Sequence, residues 1–376
     1  MKSFFFLAAL AGAVLVSCTK NEPAPFESEQ QITFAAPVVS PNTKAVNEVW
    51  NNYPTDAAYD FAVWGYYYAG GTYTSFAGGQ LYMNDVTVSY DDDLGGWAPA
   101  TSYYWPKNGS LTFIAYSPAT LNETGKVTVG ATGIQINGYK VDATQQVDLL
   151  FSERTYNQQK SSMDETAGSD TTGGTPDVED DAYKGVHISF KHALSSILFS
   201  ARTKETYTGT TITLKEISLL NIKSKGTFNQ NLKDANGETT AANAELWSGQ
   251  KEPNNYVISG LNQVLDANAY YPSINGKSSP AVANGLRKSD FILLPQKFDS
   301  YAPFPTIQVK YTIQSPDSAP IDQVQEVSLR NLTEELGQEW KWGHRYIYNI
   351  IIALDKIYFE PYVQDWVDVA ASNITL

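Results

Sequence analysis

Apolar and polar side chains alternate with a period of two in several stretches of the chain. The clearest stretches are residues 58–68, 85–90, 307–313 and 346–352. Successive side chains of a β-strand point to opposite faces of its sheet, so this period predicts strands with one face in a core. Loops rich in turn residues separate the stretches, and no long amphipathic helix is predicted. The pattern therefore indicates an all-β fold built from antiparallel sandwiches.

The composition strengthens this prediction and excludes one class of partner. The 376 residues include 24 Tyr, 16 Phe and 8 Trp, which favour strands, and 26 Gly and 18 Pro, which favour turns. The formal net charge is -14, so the phosphates of a nucleic acid would be repelled. No nucleic-acid partner is predicted.

The N-terminus has the features of a bacterial lipoprotein signal. Lys2 precedes an apolar run at residues 4–16, which is too short to span a bilayer. The small residue Ser17 then precedes Cys18, the only cysteine of the chain. This pattern predicts a signal peptide at residues 1–17 and acyl chains on Cys18 that anchor the protein to outer-membrane lipid. The alternative is an ordinary secretory signal followed by a chance cysteine.

Polar stretches divide the rest of the chain. Residues 19–30 are polar and predict a tether, and residues 152–183 are acidic and nearly without apolar side chains, which predicts a mobile loop. Between this tether and a predicted turn at residues 41–44, an isolated strand-like piece carries Ile32, Phe34, Ala36 and Val38 at alternate positions. The predicted units are a lipidated tether with this first strand at 18–44, an N-terminal β-sandwich at 45–183 and a C-terminal β-sandwich at 184–376.

Residues suited to catalysis or metal binding are few. His187 and His192 would lie on opposite faces of a strand, so they would not share one metal ion. No nucleophile or phosphate-binding motif is present. Residues 91–93 and 179–181 are acidic, but neither run has the ligand spacing of a calcium loop. We therefore predict no catalytic residues, no cofactor and no metal site.

Two aromatic runs, at residues 64–68 and 103–105, offer another possibility. Exposed aromatic faces could stack on sugar rings, whereas buried ones would simply fill a core. The alternation of the strands favours burial for every second member and partial exposure for the others.

Several short motifs, taken in order, resemble the fimbrillin family of Bacteroidetes. Each motif is weak alone, but together they extend over nearly the whole chain after the signal. They are residues 61–66, Tyr104-Trp105-Pro106, residues 111–118, 147–150, 190–197, 294–296 and 342–348, and Val363-Gln364-Asp365-Trp366.

The resemblance implies two transthyretin-like β-sandwich domains in tandem and assembly by strand exchange. In the family, a protease removes the first strand together with the lipidated tether, usually after an arginine. Lys44 and Ala45 occupy the corresponding position here. The vacated groove would receive a strand from the C-terminal region of another subunit, which contains Val363, Trp366, Ile374 and Leu376. The alternative is that this region is the last strand of its own sheet.

The leading hypothesis is therefore a fimbrial structural subunit or adhesin on the bacterial surface. Its partners would be other copies or related fimbrial subunits, outer-membrane lipid through Cys18, and ligands on host or bacterial surfaces. The runner-up is an outer-membrane glycan-binding lipoprotein of a carbohydrate-uptake system. An enzyme is the third and weakest hypothesis, because no motif supports one.

The lipoprotein signal makes a direct prediction. Replacing Cys18 by Ser removes the sulfur that would carry the diacylglycerol, so the precursor should remain in the inner membrane or periplasm. Metabolic labelling with a radioactive fatty acid should then give no labelled protein. Normal labelling of the Cys18→Ser variant would show that the lipoprotein interpretation is wrong.

Overall fold

The computed structural model describes residues 31–39, 53, 55, 57–144, 146–160, 185–232, 245–271, 291–298, 302–333 and 338–366. Nearly all regular structure in these ranges is β-strand, which confirms the all-β prediction. The strands are β1 (Val38–Val39), β2 (Phe61–Tyr68), β3 (Gln80–Asp91), β4 (Gly96–Pro99), β5 (Ser110–Ser117), β6 (Val127–Gly130), β7 (Gly133–Lys140), β8 (Leu150–Ser152), β9 (Thr155–Gln158), β10 (Ser189–His192), β11 (Ser195–Thr203), β12 (Thr211–Asn229), β13 (Trp247–Ile258), β14 (Gln263–Val264), β15 (Phe291–Leu293), β16 (Gln296–Lys297), β17 (Thr306–Gln314), β18 (Ile321–Ser328), β19 (Glu339–Trp340), β20 (His344–Ile352) and β21 (Ile357–Asp365).

Four short helical turns connect some of these strands. Three are 3₁₀ turns, Ala57–Tyr59, Phe76–Gly78 and Ala119–Thr124, and the fourth is the α-helix α1, Leu329–Leu332.

The first unit is an eight-stranded sheet with the order β1-β10-β8-β5-β2-β3-β4, in which β9 also pairs with β5. The alternation predicted for residues 58–68 holds in β2. Phe61 and Val63 point into a core that is rich in aromatic side chains, while Ala62 points to the opposite face. Phe113 of β5 and Phe190 of β10 face the same core, so one face of this sheet is apolar over its width.

The second unit contains a four-stranded and a seven-stranded sheet that share one hydrophobic core. A four-stranded sheet has the order β15-β11-β20-β21, and a seven-stranded sheet has the order β18-β17-β12-β7-β6, with β13 and β14 also on β12. Ile197 and Tyr348 from the first of these sheets and Leu214 and Val309 from the second belong to the same cluster of buried residues. Two packed sheets of this kind form a β-sandwich, as predicted.

Sheet membership crosses the predicted boundary between residues 183 and 184. The hairpin β6–β7 comes from the N-terminal half, yet β7 pairs with β12 of the second unit. Conversely, β10 comes from the C-terminal half and pairs with β8 of the first sheet. Polar loops mark where strands stop along the chain, but they carry no information about which strands pair. The two units are therefore interleaved at their junction.

The first residues of the predicted mobile loop at residues 152–183 belong to strands instead. Ser152 ends β8, and β9 follows and pairs with β5. Arg154 is buried between them, and its Nη2 donates hydrogen bonds to the carbonyls of Gly130 and Ala131 at 2.9 and 2.8 Å. One buried cation and its carbonyl partners thus order a stretch that has little apolar surface. Residues 161–183 lie outside the described residues.

Gln230 connects the two units and provides a test of their junction. Its buried side chain accepts a hydrogen bond from the Ile134 amide of β7 at 3.1 Å and donates one to the Ser152 carbonyl of β8 at 2.8 Å. Gln230→Ala should lower the free energy of unfolding by about 2–4 kcal/mol, because each buried group left unpaired costs about 1–3 kcal/mol.

Urea unfolding followed by tryptophan fluorescence would measure this loss. Gln314→Ala, at an exposed position of β17, is the matched control and should change the free energy of unfolding by less than about 0.5 kcal/mol. Equal effects of the two substitutions would contradict the role given to Gln230.

Candidate functional site

Residues 31–39, called the closing segment below, lie between the two ends of the first sheet. On one side, the amides of Ile32 and Phe34 donate to the carbonyls of Tyr103 and Trp97 at 2.7 and 2.8 Å. Trp97 belongs to β4, the last strand of the sheet on that side. The closing segment thus continues the sheet beyond β4.

On the other side, the closing segment pairs with β10 and the residues before it. The amides of Ala35 and Val38 donate to the carbonyls of Val186 and Ile188, both at 3.1 Å. β1, the end of the closing segment, runs parallel to β10. Since β4 and β10 are at opposite ends of the sheet, the closing segment joins them and closes the sheet around its core.

Two side chains of the closing segment are fully inside this core. Ile32 and Phe34 are each 1% exposed. The Phe34 ring meets the rings of Phe61 and Phe113 edge-on, with ring centroids 5.7 Å apart in both cases. Burying two such side chains contributes about 3–6 kcal/mol in transfer free energy.

The predicted alternation does not hold along the whole segment. Ala36 is exposed and Val38 is only half-buried, whereas Ala35, Pro37 and Val39 are buried. The inward face therefore shifts by one residue after Phe34. The segment changes its hydrogen-bonding partners at this point, and Pro37 has no amide to continue a regular ladder. Of the predicted inward residues, Ile32 and Phe34 are in the core and Ala36 and Val38 are not.

Gly185 makes close main-chain contact with the closing segment. A Cβ atom at residue 185 would lie 2.6 Å from both N and C of Phe34. Real contacts of this kind are never so short, so only glycine allows the main chain of the segment to lie here. Sequence reasoning missed this residue, although its place directly before the alternating residues 186–190 was the available signal.

Tyr53 is a second residue that sequence reasoning missed. Its ring lies 5.4 Å from that of Trp97 in β4 and 6.0 Å from that of Phe190 in β10, so it contacts both ends of the sheet. Its hydroxyl donates to Ser117 Oγ or to the Tyr59 carbonyl, at 3.1 and 3.0 Å. Burial raises the pKa of Tyr53 well above its ordinary value, so the hydroxyl stays protonated at neutral pH.

Residues 40–52 connect the buried ends Val39 and Tyr53, and they include the predicted processing residues Lys44 and Ala45. These two residues lie outside the described residues, as does Cys18. The lipidation and processing sites therefore stay predictions.

The predicted donor residues Val363 and Trp366 belong to the chain's own fold. β21 pairs with β20 over nine residue pairs, with Val363 opposite Tyr346 and 37% exposed. Trp366 is 2% exposed, and its amide donates to the Gly343 carbonyl at 2.9 Å. In this structure Val363 lies in the last strand of its own sheet and Trp366 directly follows that strand, as in the alternative, while the donor role stays a prediction. Ile374 and Leu376 lie outside the described residues.

His192, the last residue of β10, packs against Trp366. The two rings stack with centroids 3.8 Å apart and an angle of 3° between their planes. His192 Nδ1 is also 2.5 Å from Asp148 Oδ2. His187 is exposed while His192 is buried, as the alternation predicted. The stack ties the C-terminal strand to β10, which also holds the closing segment.

The aromatic runs considered for sugar binding are mostly packed. Tyr66 and Tyr68 are buried with Tyr73, and Trp105 is buried in the first core. Trp64 is half-buried and donates its indole N–H to Asp85 Oδ1 at 3.2 Å. These side chains do not form a flat exposed platform.

The acidic run at residues 91–93 makes a turn. Asp91 Oδ1 accepts hydrogen bonds from the amides of Asp93 and Leu94, at 2.9 and 3.1 Å. Within the ranges that the structure describes, no group of three or more His, Cys, Asp or Glu side chains is placed to hold a metal ion. Residues 179–181 lie outside these ranges.

A sequence model of the fimbrillin-like family matches residues 43–366. The chain belongs to the fimbrillin-like family. Among solved structures, this fimbrillin-like protein is similar to a fimbrial protein from Bacteroides vulgatus, with 13% identity and a TM-score of 0.48 over 90% of this chain and 99% of that chain. A candidate cell adhesion protein from Bacteroides uniformis has 15% identity and a TM-score of 0.45 over the same shares. No curated protein matches the sequence significantly.

Family membership confirms the resemblance and implies a fimbrial protein at the cell surface. The likenesses to solved structures add no argument about function, because their identities and TM-scores are low. No helix within the described ranges is both long enough and apolar enough to cross a membrane.

The position of Trp366 makes a prediction about the C-terminal strand. Trp366→Ala should lower the free energy of unfolding of the monomer by about 3–5 kcal/mol, because it removes a buried aromatic ring and its stack on His192. Val363→Ala, at an exposed position of β21 just before Trp366, should cost less than about 1 kcal/mol.

Urea unfolding of the two variants, followed by far-ultraviolet circular dichroism, would compare them. A donor strand reserved for another subunit would contribute nothing to the monomer. An unchanged unfolding midpoint for Trp366→Ala would therefore contradict the structural role of this strand.

Proposed function

We propose that this fimbrillin-like protein is a fimbrial structural subunit or adhesin of the bacterial surface, exported as a lipoprotein through Cys18. It assembles when the closing segment is released by cleavage between Lys44 and Ala45 and is replaced by a strand of another subunit. The placement of the closing segment supports this proposal most strongly. It is a short, nearly terminal piece that completes a core and makes main-chain hydrogen bonds on both sides.

Loss of the closing segment would leave two kinds of unsatisfied surface. The carbonyls of Trp97, Tyr103 and Val186 would lose their amide partners, and the places of Ile32 and Phe34 would be open to water. An extended segment from another subunit supplies both amides and apolar side chains, as in other cases of strand addition to a sheet edge. The emptied groove is therefore a binding site for a strand.

The covalent connection through residues 40–52 explains why cleavage would be the trigger. While it is attached, the closing segment has an effective concentration in the millimolar range or above at its own groove. A strand from a second copy does not compete with it under these conditions. After a cut at Lys44, the closing segment can dissociate into the bulk solvent and loses its high effective concentration. A strand from another copy then binds in the groove.

The candidates for the donor strand are now Ile374 and Leu376. Val363 in β21 and Trp366 directly after it have partners within the chain's own fold, so the proposal does not assign the donor role to them. The partners are other copies or related fimbrial subunits, with outer-membrane lipid bound through Cys18 before cleavage. Adhesive ligands would be host or bacterial surface molecules. No observation on the described residues favours the glycan-binding alternative, because the aromatic runs that suggested it are packed.

Limited digestion of purified protein without its signal peptide tests the proposal. Digestion with a lysine-specific protease should produce ladders of oligomers that resist sodium dodecyl sulfate, because an inserted strand is held by a whole row of main-chain hydrogen bonds. Lys44→Ala should abolish the ladders, and so should deletion of residues 367–376.

Lys107→Ala is the matched control, since Lys107 is an exposed lysine outside the proposed processing site. This variant should still form ladders. If protein cut after Lys44 keeps residues 31–39 bound and stays monomeric at high concentration, strand exchange is not its mode of assembly.

A further inference from the structure

We propose that the site occupied by the Phe34 side chain selects which strand can occupy the closing position of the first sheet. This selection rests on the proposed strand exchange and adds a chemical requirement for the incoming strand. The requirement is a large apolar side chain at the position of Phe34, with a second one two residues away at the position of Ile32.

The walls of the Phe34 site come from three strands and are aromatic. Phe61 of β2 and Phe113 of β5 meet the Phe34 ring edge-on. Trp97 of β4 accepts the Phe34 amide hydrogen bond, and its ring lies 5.5 Å from that of Phe61. Phe61 and Phe113 are themselves fully buried in paired strands, so they have little freedom to collapse into an empty site. A small side chain at this position would leave a cavity.

The floor of the site restricts the main chain of the occupant. Gly185 approaches the N, Cα and C atoms of Phe34 so closely that a Cβ on residue 185 would overlap them. The main chain of the occupant is therefore held in place by Gly185 together with its hydrogen bonds to the carbonyls of Trp97 and Val186. A side chain that is too short to reach Phe61 and Phe113 has no way to compensate by moving inward.

The rest of the closing segment is less demanding. Ala36 is exposed, Val38 is half-buried, and the buried Ala35 is small. Discrimination between strands should therefore depend mainly on Ile32 and Phe34, each 1% exposed, with a smaller contribution from Val39 in the same core. An extended strand with small or polar residues at these two positions would form the main-chain hydrogen bonds but leave the core unfilled.

The chain itself contains a second segment with the required pattern. Residues 32–34 are Ile-Thr-Phe, and the C-terminal residues 374–376 are Ile-Thr-Leu. Both segments place large apolar residues two positions apart around a threonine. We therefore assign the C-terminal residues of a second copy as the occupant, with Leu376 and Ile374 in the sites of Phe34 and Ile32.

Peptide binding tests the selection, with the chain cut after Lys44 and lacking residues 367–376, so that no C-terminal strand of another copy fills the groove. Fluorescent peptides with the sequence of residues 31–40, unaltered or with single substitutions, would be titrated with this protein and followed by anisotropy. Phe34→Ala should weaken binding on the order of 100-fold, as expected for an aromatic side chain lost from a core. Phe34→Leu should weaken it less than about 10-fold, and Val38→Ala, the matched control, less than about 5-fold.

The C-terminal occupant is tested in the same titration. A peptide of residues 367–376 should compete with the unaltered closing peptide, and the variant Leu376→Ala should compete on the order of 100-fold less well. A C-terminal peptide that does not compete would overturn this assignment.

A variant of the groove tests its floor. Gly185→Ala in the cut chain should weaken the binding of every peptide, whereas Gly96→Ala, where an added Cβ would meet nothing within 4 Å, should not. Since the peptide variants leave the groove unaltered, the selection stays testable even if Gly185→Ala does not fold.

The outcomes distinguish failure of the proposed strand exchange from failure of the selection by the Phe34 site. If the unaltered peptide binds and Phe34→Ala binds equally well, strand exchange stands and the selection by the Phe34 site is wrong. If neither the unaltered closing peptide nor any variant binds, the groove does not accept strands, and both the proposed function and the selection are wrong.

Discussion

The architecture of the first unit depends on the main-chain hydrogen bonds that residues 31–39 form on both of their sides. β4 and β10 are the two ends of one sheet, and the closing segment is their common neighbour. Its Ile32 and Phe34 side chains complete a core whose other members come from strands distributed over the following 160 residues or so of the chain. Under the proposed strand exchange, this core is stable while the closing segment is attached and open to another strand once the segment is released.

The second unit contacts one wall of the groove that holds the closing segment, and this wall is β10. That strand pairs with the closing segment on one side and with β8 on the other, and its last residue, His192, stacks on Trp366. The C-terminal strand thus fixes one wall of the groove through a contact between the units. The interleaved junction has the same effect, since Gln230, directly after β12, joins β7 and β8. We infer that the groove keeps its shape because both units hold its walls, which favours binding of a strand to a preformed site.

Period-two alternation predicted the strands that have one face in a core, such as β2 and β17, and it correctly separated exposed His187 from buried His192. It was wrong where the main chain changes partners, because the inward face of the closing segment shifts after Phe34. Low apolar content predicted a loop at residues 152–183, yet β9 begins inside this stretch. Pairing between distant strands has no local signal, so the exchange of β10 and the β6–β7 hairpin across residue 183 was not predictable. The roles of Tyr53 and Gly185 likewise depend on contacts made across the sheet.

The central claim is that the assembled protein has lost its first strand. Mass spectrometry of the N-terminal peptide of protein sheared from the bacterial surface in polymeric form measures this directly. The account predicts a mature chain that begins at Ala45, with residues 18–44 absent from the polymer. A polymeric chain that still begins with lipidated Cys18 and retains Ile32 and Phe34 would contradict it.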